Sequence, residues 1–197
     1  MKRHTLAVST ALLLGCASAH AHLEATGMGP IYDGVLHFLT SPQDLLPALA
    51  LALLAGLRGA DHGRRALLTL PLAWLLGSLV GLNAAASSAG TLGAALWFLF
   101  MGSLVLADAR LSLAATTGLA ALLGLFHGAF NGSGLGLSLP SFVATLGLAA
   151  AVFVCVALVA AFIVRLRAQW ARIAVRVVGS WIAASGLLMV GWAIRGA

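Results

Sequence analysis

The chain has 197 residues, of which 61% are hydrophobic and only 8% are charged. A soluble globular fold cannot shelter so large an apolar fraction, so the composition predicts an integral membrane protein. The formal charge is +6, but the basic residues are few and scattered between apolar runs, which argues against a nucleic-acid-binding surface.

The first 21 residues have the organisation of a cleaved export signal. Lys2-Arg3 is a positive n-region, Leu6 to Leu14 is an apolar h-region, and Ala19-His20-Ala21 matches an A-x-A cleavage site. We therefore expect the mature chain to begin at His22. Residues 22–197 are then predicted to form a single transmembrane helical domain.

The two cysteines leave one alternative open at the N-terminus. Leu13-Leu14-Gly15-Cys16 approximates a lipoprotein processing site, so lipidation of Cys16 competes with cleavage after Ala21. If Cys16 is removed with the signal, Cys155 is the one thiol left. The sequence therefore predicts neither a disulfide nor a cysteine metal site.

Six apolar segments follow the signal. A spanning helix needs about 20 apolar residues to cross a hydrocarbon core of about 30 Å. The segments are Ser41 to Leu57, Ala66 to Leu82, Gly90 to Ala107, Leu111 to Phe130, Pro140 to Val164 and Trp170 to Ile194. They predict an all-α transmembrane bundle of about six spanning helices. Ser41-Pro42-Gln43-Asp44 has the pattern of a capped helix start, and the turn before it is expected to complete this short first segment.

Every second predicted loop holds arginine, and this pattern predicts the orientation of the chain in the membrane. Arginine and lysine accumulate on the cytoplasmic side. The loops after segments one, three and five hold Arg58, Arg64, Arg65, Arg110, Arg165, Arg167 and Arg172, whereas the loops at 83–89 and 131–139 carry no charge. We expect a protein of the inner (cytoplasmic) membrane with both mature termini outside. Only Arg195 departs from the pattern.

Small residues recur at four-residue spacing within the helices. Gly77 and Gly81 lie in the second segment, and Gly128 and Gly132 lie at the end of the fourth. This spacing predicts close packing between helices.

The few polar residues near the outer side are the candidates for chemistry, because burying ionisable groups in a membrane is costly. His127 and Asn131 are four residues apart and share a helix face. The predicted topology brings His22, Glu24, Asp33, His37 and Asp44 to the same side. Imidazole and carboxylate groups converging there predict a site for a divalent ion, and imidazole suits nickel, cobalt, copper or zinc.

Three of these interpretations have alternatives. His127 is either a metal ligand or a hydrogen-bonded contact between helices. Asp44 is either a ligand or a helix cap. Asp61-His62 looks like a metal pair, but the orientation predicts a solvated cytoplasmic loop, with a metal contact on the exit side as the alternative.

Three motifs resemble the HupE/UreJ family of bacterial hydrogenase and urease accessory membrane proteins. The segment Gly34 to Asp44, followed by Leu45-Leu46-Pro47, is similar to G-x-x-H-P-x-x-G-x-D-H and L-L-A. Arg65-Ala66-Leu67 and Leu70 to Trp74 are similar to R-A-L and L-P-L-A-F. Phe126 to Gly132 is similar to F-H-G-x-A-H-G. The resemblance spans most of the chain, and the family is associated with nickel or cobalt transport.

The resemblance implies a set of site residues. His37 and His127 match family histidines, while Asp44 and Asn131 stand where the family has histidine and Gln43 stands where it has aspartate. These departures leave a harder, more oxygen-rich donor set, which weakens soft selectivity for nickel. In this alignment the family's D-H pair falls at Gln43-Asp44, so the match of Asp61-His62 to that pair is a coincidence.

The sequence thus predicts a divalent metal permease, or a metal-delivery accessory protein of a metalloenzyme maturation system. The site residues are His37, His127, Asp44, Asn131 and His22, and the bound ion is nickel or cobalt, with no organic cofactor. A non-transporting membrane scaffold or metal-binding subunit is the alternative. No Walker loop or H-E-x-x-H helix is present, so we expect neither an ATP-driven pump nor an enzyme. The oligomeric state stays open.

Overall fold

The structure, a computed structural model, describes residues 26–82, 84, 89–133, 135 and 137–195. Within this part of the chain every regular element is a helix. They are α1 (Pro30–Thr40), α2 (Pro42–Arg58), α3 (Ala60–Gly81), α4 (Ala89–Leu106), α5 (Leu113–Ser133), α6 (Leu139–Val164) and α7 (Gln169–Arg195). The predicted signal at residues 1–21, including Cys16, and the predicted ligand His22 lie outside the described residues.

Each predicted apolar segment coincides with one of the helices α2 to α7. Among the described residues, α5, α6 and α7 are long and apolar enough to cross a membrane, and α1 with α2 forms a fourth candidate as a bent pair. The prediction of six spans is therefore met only in part. Helix α3 carries Asp61, Arg64 and Arg65 in its first two turns, and the apolar stretch of α4, Leu92–Leu106, is short.

A break of 74° separates α1 from α2 at Ser41. Ser41 is extended (φ −96°, ψ 94°) and Pro42 follows at the start of α2. Proline has no amide hydrogen and disfavours a helical residue before it, so the chain bends here. The predicted helix start is correct, but the predicted cap is wrong, because the Ser41 side chain bonds none of the described amides of α2. The expected turn before α2 is instead a helix, α1.

Helix α2 forms the centre of the bundle. It contacts each of the other described helices, and nine of its residues, from Asp44 to Gly56, are buried. Three closely packed pairs surround it: α3 with α5, α4 with α7, and α1 with α6. An apolar helix that is buried on most sides needs such neighbours.

Glycines make the contact between α3 and α5 close. Gly77 and Gly81 on α3 face the backbone of α5, and Gly128 and Gly132 on α5 face the backbone of α3. A Cβ atom at any of the four would clash with that backbone. The predicted close packing is confirmed, and it brings α3 side chains against the turn of α5 that carries His127.

One end of the bundle, which we name the arginine end, is held by Asp108 in the connection between α4 and α5. Asp108 adopts a left-handed conformation (φ 49°) that aspartate tolerates. Its carboxylate pairs with Arg58 at the end of α2 and, at 2.9 Å, with Arg172 in the first turn of α7. One acidic side chain thereby ties together three parts of the chain.

The pair Asp61-His62 is helical rather than part of a loop, which corrects the loop interpretation. Asp61 is exposed in the first turn of α3, and its ion pair with Arg64 lowers the pKa of the Asp61 carboxyl. His62 Nδ1 lies 2.9 Å from the hydroxyl of Thr116 on α5. Because Thr116 already donates to the Ser112 carbonyl, it accepts from His62, which is therefore a contact between helices.

Candidate functional site

Four of the five predicted site residues meet at the end of the bundle opposite the arginine end. His37 lies in the last turn of α1 and Asp44 in the first turn of α2, on the two sides of the bend at Ser41. His127 and Asn131 lie one turn apart near the end of α5. We name these four residues the His–Asp–Asn network.

Asp44 is the centre of this network and is fully buried. Its Oδ1 lies 2.9 Å from His127 Nδ1, and its Oδ2 accepts a hydrogen bond from Asn131 Nδ2 at 3.1 Å. A carboxylate only accepts hydrogen bonds, so His127 Nδ1 carries the hydrogen. Asp44 therefore orients two side chains of α5 and is not simply a helix cap.

Asn131 connects Asp44 to His37. Since the Asn131 amide nitrogen donates to Asp44, its Oδ1 is the acceptor for the Nε2 hydrogen of His37, 3.3 Å away. His37 Nε2 also lies 3.8 Å from Asp44 Oδ2. The order of contacts is thus His37, Asn131, Asp44, His127, and it joins α1, α2 and α5.

The free nitrogen of His127 is the distinctive atom of the site. With its hydrogen on Nδ1, neutral His127 presents a lone pair at Nε2, which is buried and has no hydrogen-bond partner among the described residues. Trp74 packs against the imidazole with the rings tilted by 31° and their centroids 5.3 Å apart, and Phe126 meets it edge-on at 5.2 Å. Leaving such an atom unpaired costs about 1–3 kcal/mol, which makes Nε2 the candidate binding atom of the site.

The chemistry of the network fits part of a metal site. A carboxylate that fixes the Nδ1 hydrogen of a histidine is the usual arrangement behind a metal-bound Nε2. Asp44 holds His127 in that way, and His37 supplies a second imidazole. However, the described residues contain no group of three or more His, Cys, Asp or Glu residues arranged to hold a metal.

Two residues beside the network had no role in the sequence prediction. Trp74 and Ser78 lie one turn apart on α3, both are buried, and Trp74 Nε1 and Ser78 Oγ have no partner among the described residues. The sequence held one signal for them. Trp74 and Ser78 are four residues apart in the segment that also holds Gly77 and Gly81, so they share a helix face. They place two further polar groups on the α3 side of the site.

The comparisons with known proteins give one match. A family model described as HupE / UreJ protein matches residues 8–189, a range that includes the whole His–Asp–Asn network. Neither a search of curated proteins nor a search of solved structures returns a match.

Proposed function

The chain belongs to the HupE/UreJ family, as its motifs predicted, and from that premise we propose that it is an inner-membrane permease or delivery protein for nickel or cobalt. The family implies a nickel or cobalt accessory or transport role in general. The specific activity, the ion and the outward-facing site are the parts that we propose.

The proposed membrane placement has six spans after a cleaved signal, with α2 to α7 each crossing the bilayer. The arginine end then faces the cytoplasm, in line with the excess of arginine on that side. Asp44 and Arg58 are 14 positions apart on α2, a distance of about 21 Å along a helix. The His–Asp–Asn network then lies near the outer face, where an ion would enter.

The observation that carries the proposal is the buried, unpartnered Nε2 of His127. It is a lone pair oriented by a carboxylate and enclosed by aromatic rings. Nickel and cobalt bind imidazole nitrogen well. The buried Asp44 carboxylate bonds the other nitrogen of the same imidazole, so its negative charge lies close to Nε2. This charge favours a cation over an anion or a neutral ligand.

The division of roles follows from the hydrogen bonds. His127 binds the ion through Nε2, and Asp44 positions the ring and balances charge. Asn131 keeps His37 next to Asp44. His37 Nε2 would become a second ligand once the His37–Asn131 contact is released and the Nε2 hydrogen has moved to Nδ1. His22, at the proposed mature N-terminus, is a further candidate ligand.

A non-transporting scaffold or metal-binding subunit is the second candidate. The observation that favours it is the small ligand set: within the described residues no three His, Cys, Asp or Glu side chains, the two histidines and Asp44 included, are arranged to hold a metal. The oxygen-rich departures at Asp44 and Asn131 also favour weak binding.

Uptake of radiolabelled nickel and cobalt by cells that express the chain tests the proposal. We expect His127→Ala to lower uptake by about 10-fold or more, because loss of a residue that only orients a metal ligand already costs that much, and His37→Ala to lower it as well. His62→Ala is the matched control, because His62 bonds Thr116 away from the network, and it should keep wild-type uptake.

Each other result has a clear reading, provided that all variants reach the membrane in equal amounts. Wild-type uptake in both His37→Ala and His127→Ala would contradict the site. No uptake above empty cells for the wild type would contradict a permease and favour the scaffold.

A further inference from the structure

A groove lies between the first turns of α3 and the last turns of α6, at the arginine end. Its cavity volume is about 270 Å³, and most of its lining is small and apolar, including Gly63, Ala160 and Ala161. Two arginines, Arg64 and Arg165, complete the lining. The groove therefore combines an apolar floor with two cationic side chains.

The groove exists because the residues that meet there are small. A Cβ atom at Gly63 would lie 3.4 Å from the Cβ of Ala160, which is ordinary contact, so the two helices touch at that level. Ala161 is exposed beside this contact. Short side chains leave room for a slender apolar chain along α6.

The charge at the groove is positive. Arg165 has no ion-pair partner among the described residues. Arg64 pairs with Asp61, and both side chains of this pair are about three-quarters exposed. An exposed pair of this kind is weak and leaves Arg64 available to an anion. Arg65 adds a further exposed cation on the same turn.

We propose that this groove binds an anionic phospholipid, with the phosphate held by Arg64 and Arg165 and an acyl chain lying along Ala160 and Ala161. Arginine offers paired donors that match phosphate oxygens. Basic pockets between helices at the membrane surface recognise anionic headgroups, and the groove has both the charge and the apolar continuation that such a lipid requires. The proposal uses the membrane placement but is independent of metal transport.

Charge complementarity favours a lipid over a second copy of the chain. A helix of another copy would remove both guanidinium groups from water and would have to supply acidic partners for them, which is costly at an interface. A lipid leaves the guanidinium groups at the headgroup level and buries only the apolar floor.

Lipid binding to the purified full chain in detergent tests the proposal, with native mass spectrometry counting bound dioleoylphosphatidylglycerol and dioleoylphosphatidylcholine. We expect the wild type to retain the anionic lipid in preference, and each of Arg64→Gln and Arg165→Gln to weaken its binding about fivefold. Arg167→Gln is the matched control, because Arg167 is exposed in the adjacent loop and does not line the groove.

A second variant tests the apolar floor. Ala161→Leu fills the groove without removing either positive charge and should lower binding of the anionic lipid. Arg165→Lys keeps the charge but loses the paired donors, so it should weaken binding less than Arg165→Gln does. Equal retention of the two lipids by the wild type, or an equal loss in Arg167→Gln, would overturn the proposal. Inorganic phosphate that displaces the lipid completely at millimolar concentration would also overturn it, since the acyl chain would then add nothing.

Discussion

Two aspartates hold the two ends of the bundle in opposite ways. Asp44 is fully buried and bonds an imidazole and an amide, whereas the Asp108 side chain is 27% exposed and bonds two guanidinium groups. Asp108 joins the ends of three segments and is partly exposed, so its ion pairs with arginine carry only a small desolvation penalty. Asp44 has no arginine or lysine partner among the described residues.

The two aspartates differ in the cost of placing their carboxylates where they lie. Burying a carboxylate is costly, and a bundle that needed only a tie between α2 and α5 could use an apolar contact instead. The Asp44 arrangement also leaves His127 Nε2 without a partner, which adds to the cost. This cost supports the ion site proposed above, and the following changes test the contrast.

The largest effect is expected at Asp44. Asp44→Ala leaves two buried donors, His127 Nδ1 and Asn131 Nδ2, without an acceptor, at about 1–3 kcal/mol each. We expect a clear fall in thermal stability in detergent together with loss of metal uptake. Thermal unfolding followed by tryptophan fluorescence measures the first effect. A variant as stable as the wild type would show that Asp44 does not hold α5 in place.

The next effect is expected at the packing that carries the network. Gly128→Ala introduces a Cβ against the Trp74 backbone, and such overpacking costs about 1–3 kcal/mol. Gly118→Ala on the same helix is the control, since nothing lies within 4 Å of its added Cβ and alanine is the better helix former by about 1 kcal/mol. Opposite shifts in melting temperature are expected; equal shifts would contradict the close contact.

A smaller effect is expected at Asp108. Asp108→Asn removes the charge but keeps a residue that tolerates the left-handed conformation, so it isolates the two ion pairs. Asp108 and Arg172 are partly exposed, and the amide oxygen of asparagine can still accept a hydrogen bond from the nearly buried Arg58, so we expect a loss of about 1 kcal/mol and unchanged metal uptake. Asp61→Asn, which breaks a more exposed pair, should be indistinguishable from the wild type in the same melts. Loss of uptake in Asp108→Asn would remove the distinction between the two aspartates.

Most of the fold could be predicted, because long apolar runs and their prolines mark where α2 to α7 lie. The four-residue spacing of His127 and Asn131 correctly placed both on one face of α5, and the alternating arginines grouped Arg58 with Arg172. Helix α1 was missed since it is short and carries Asp33 and His37, which make it resemble a polar turn.

The pairings across the bundle could not be predicted. Asp108 meets Arg58 and Arg172 across separations of 50 and 64 residues, and the single sequence contains no periodicity that links such distant positions. For the same reason the sequence could not choose between Asp44 as a cap and Asp44 as the partner of α5. Trp74 was quoted as part of a motif, but its contact with His127 depends on glycines of two helices meeting in space.

The most direct test of the central claim is equilibrium binding of radiolabelled nickel and cobalt to the purified full chain in detergent. Saturable binding is expected for the wild type and for His62→Ala, with loss in His127→Ala. Absence of saturable binding to the wild type, or wild-type affinity in His127→Ala, would contradict a metal site at the His–Asp–Asn network.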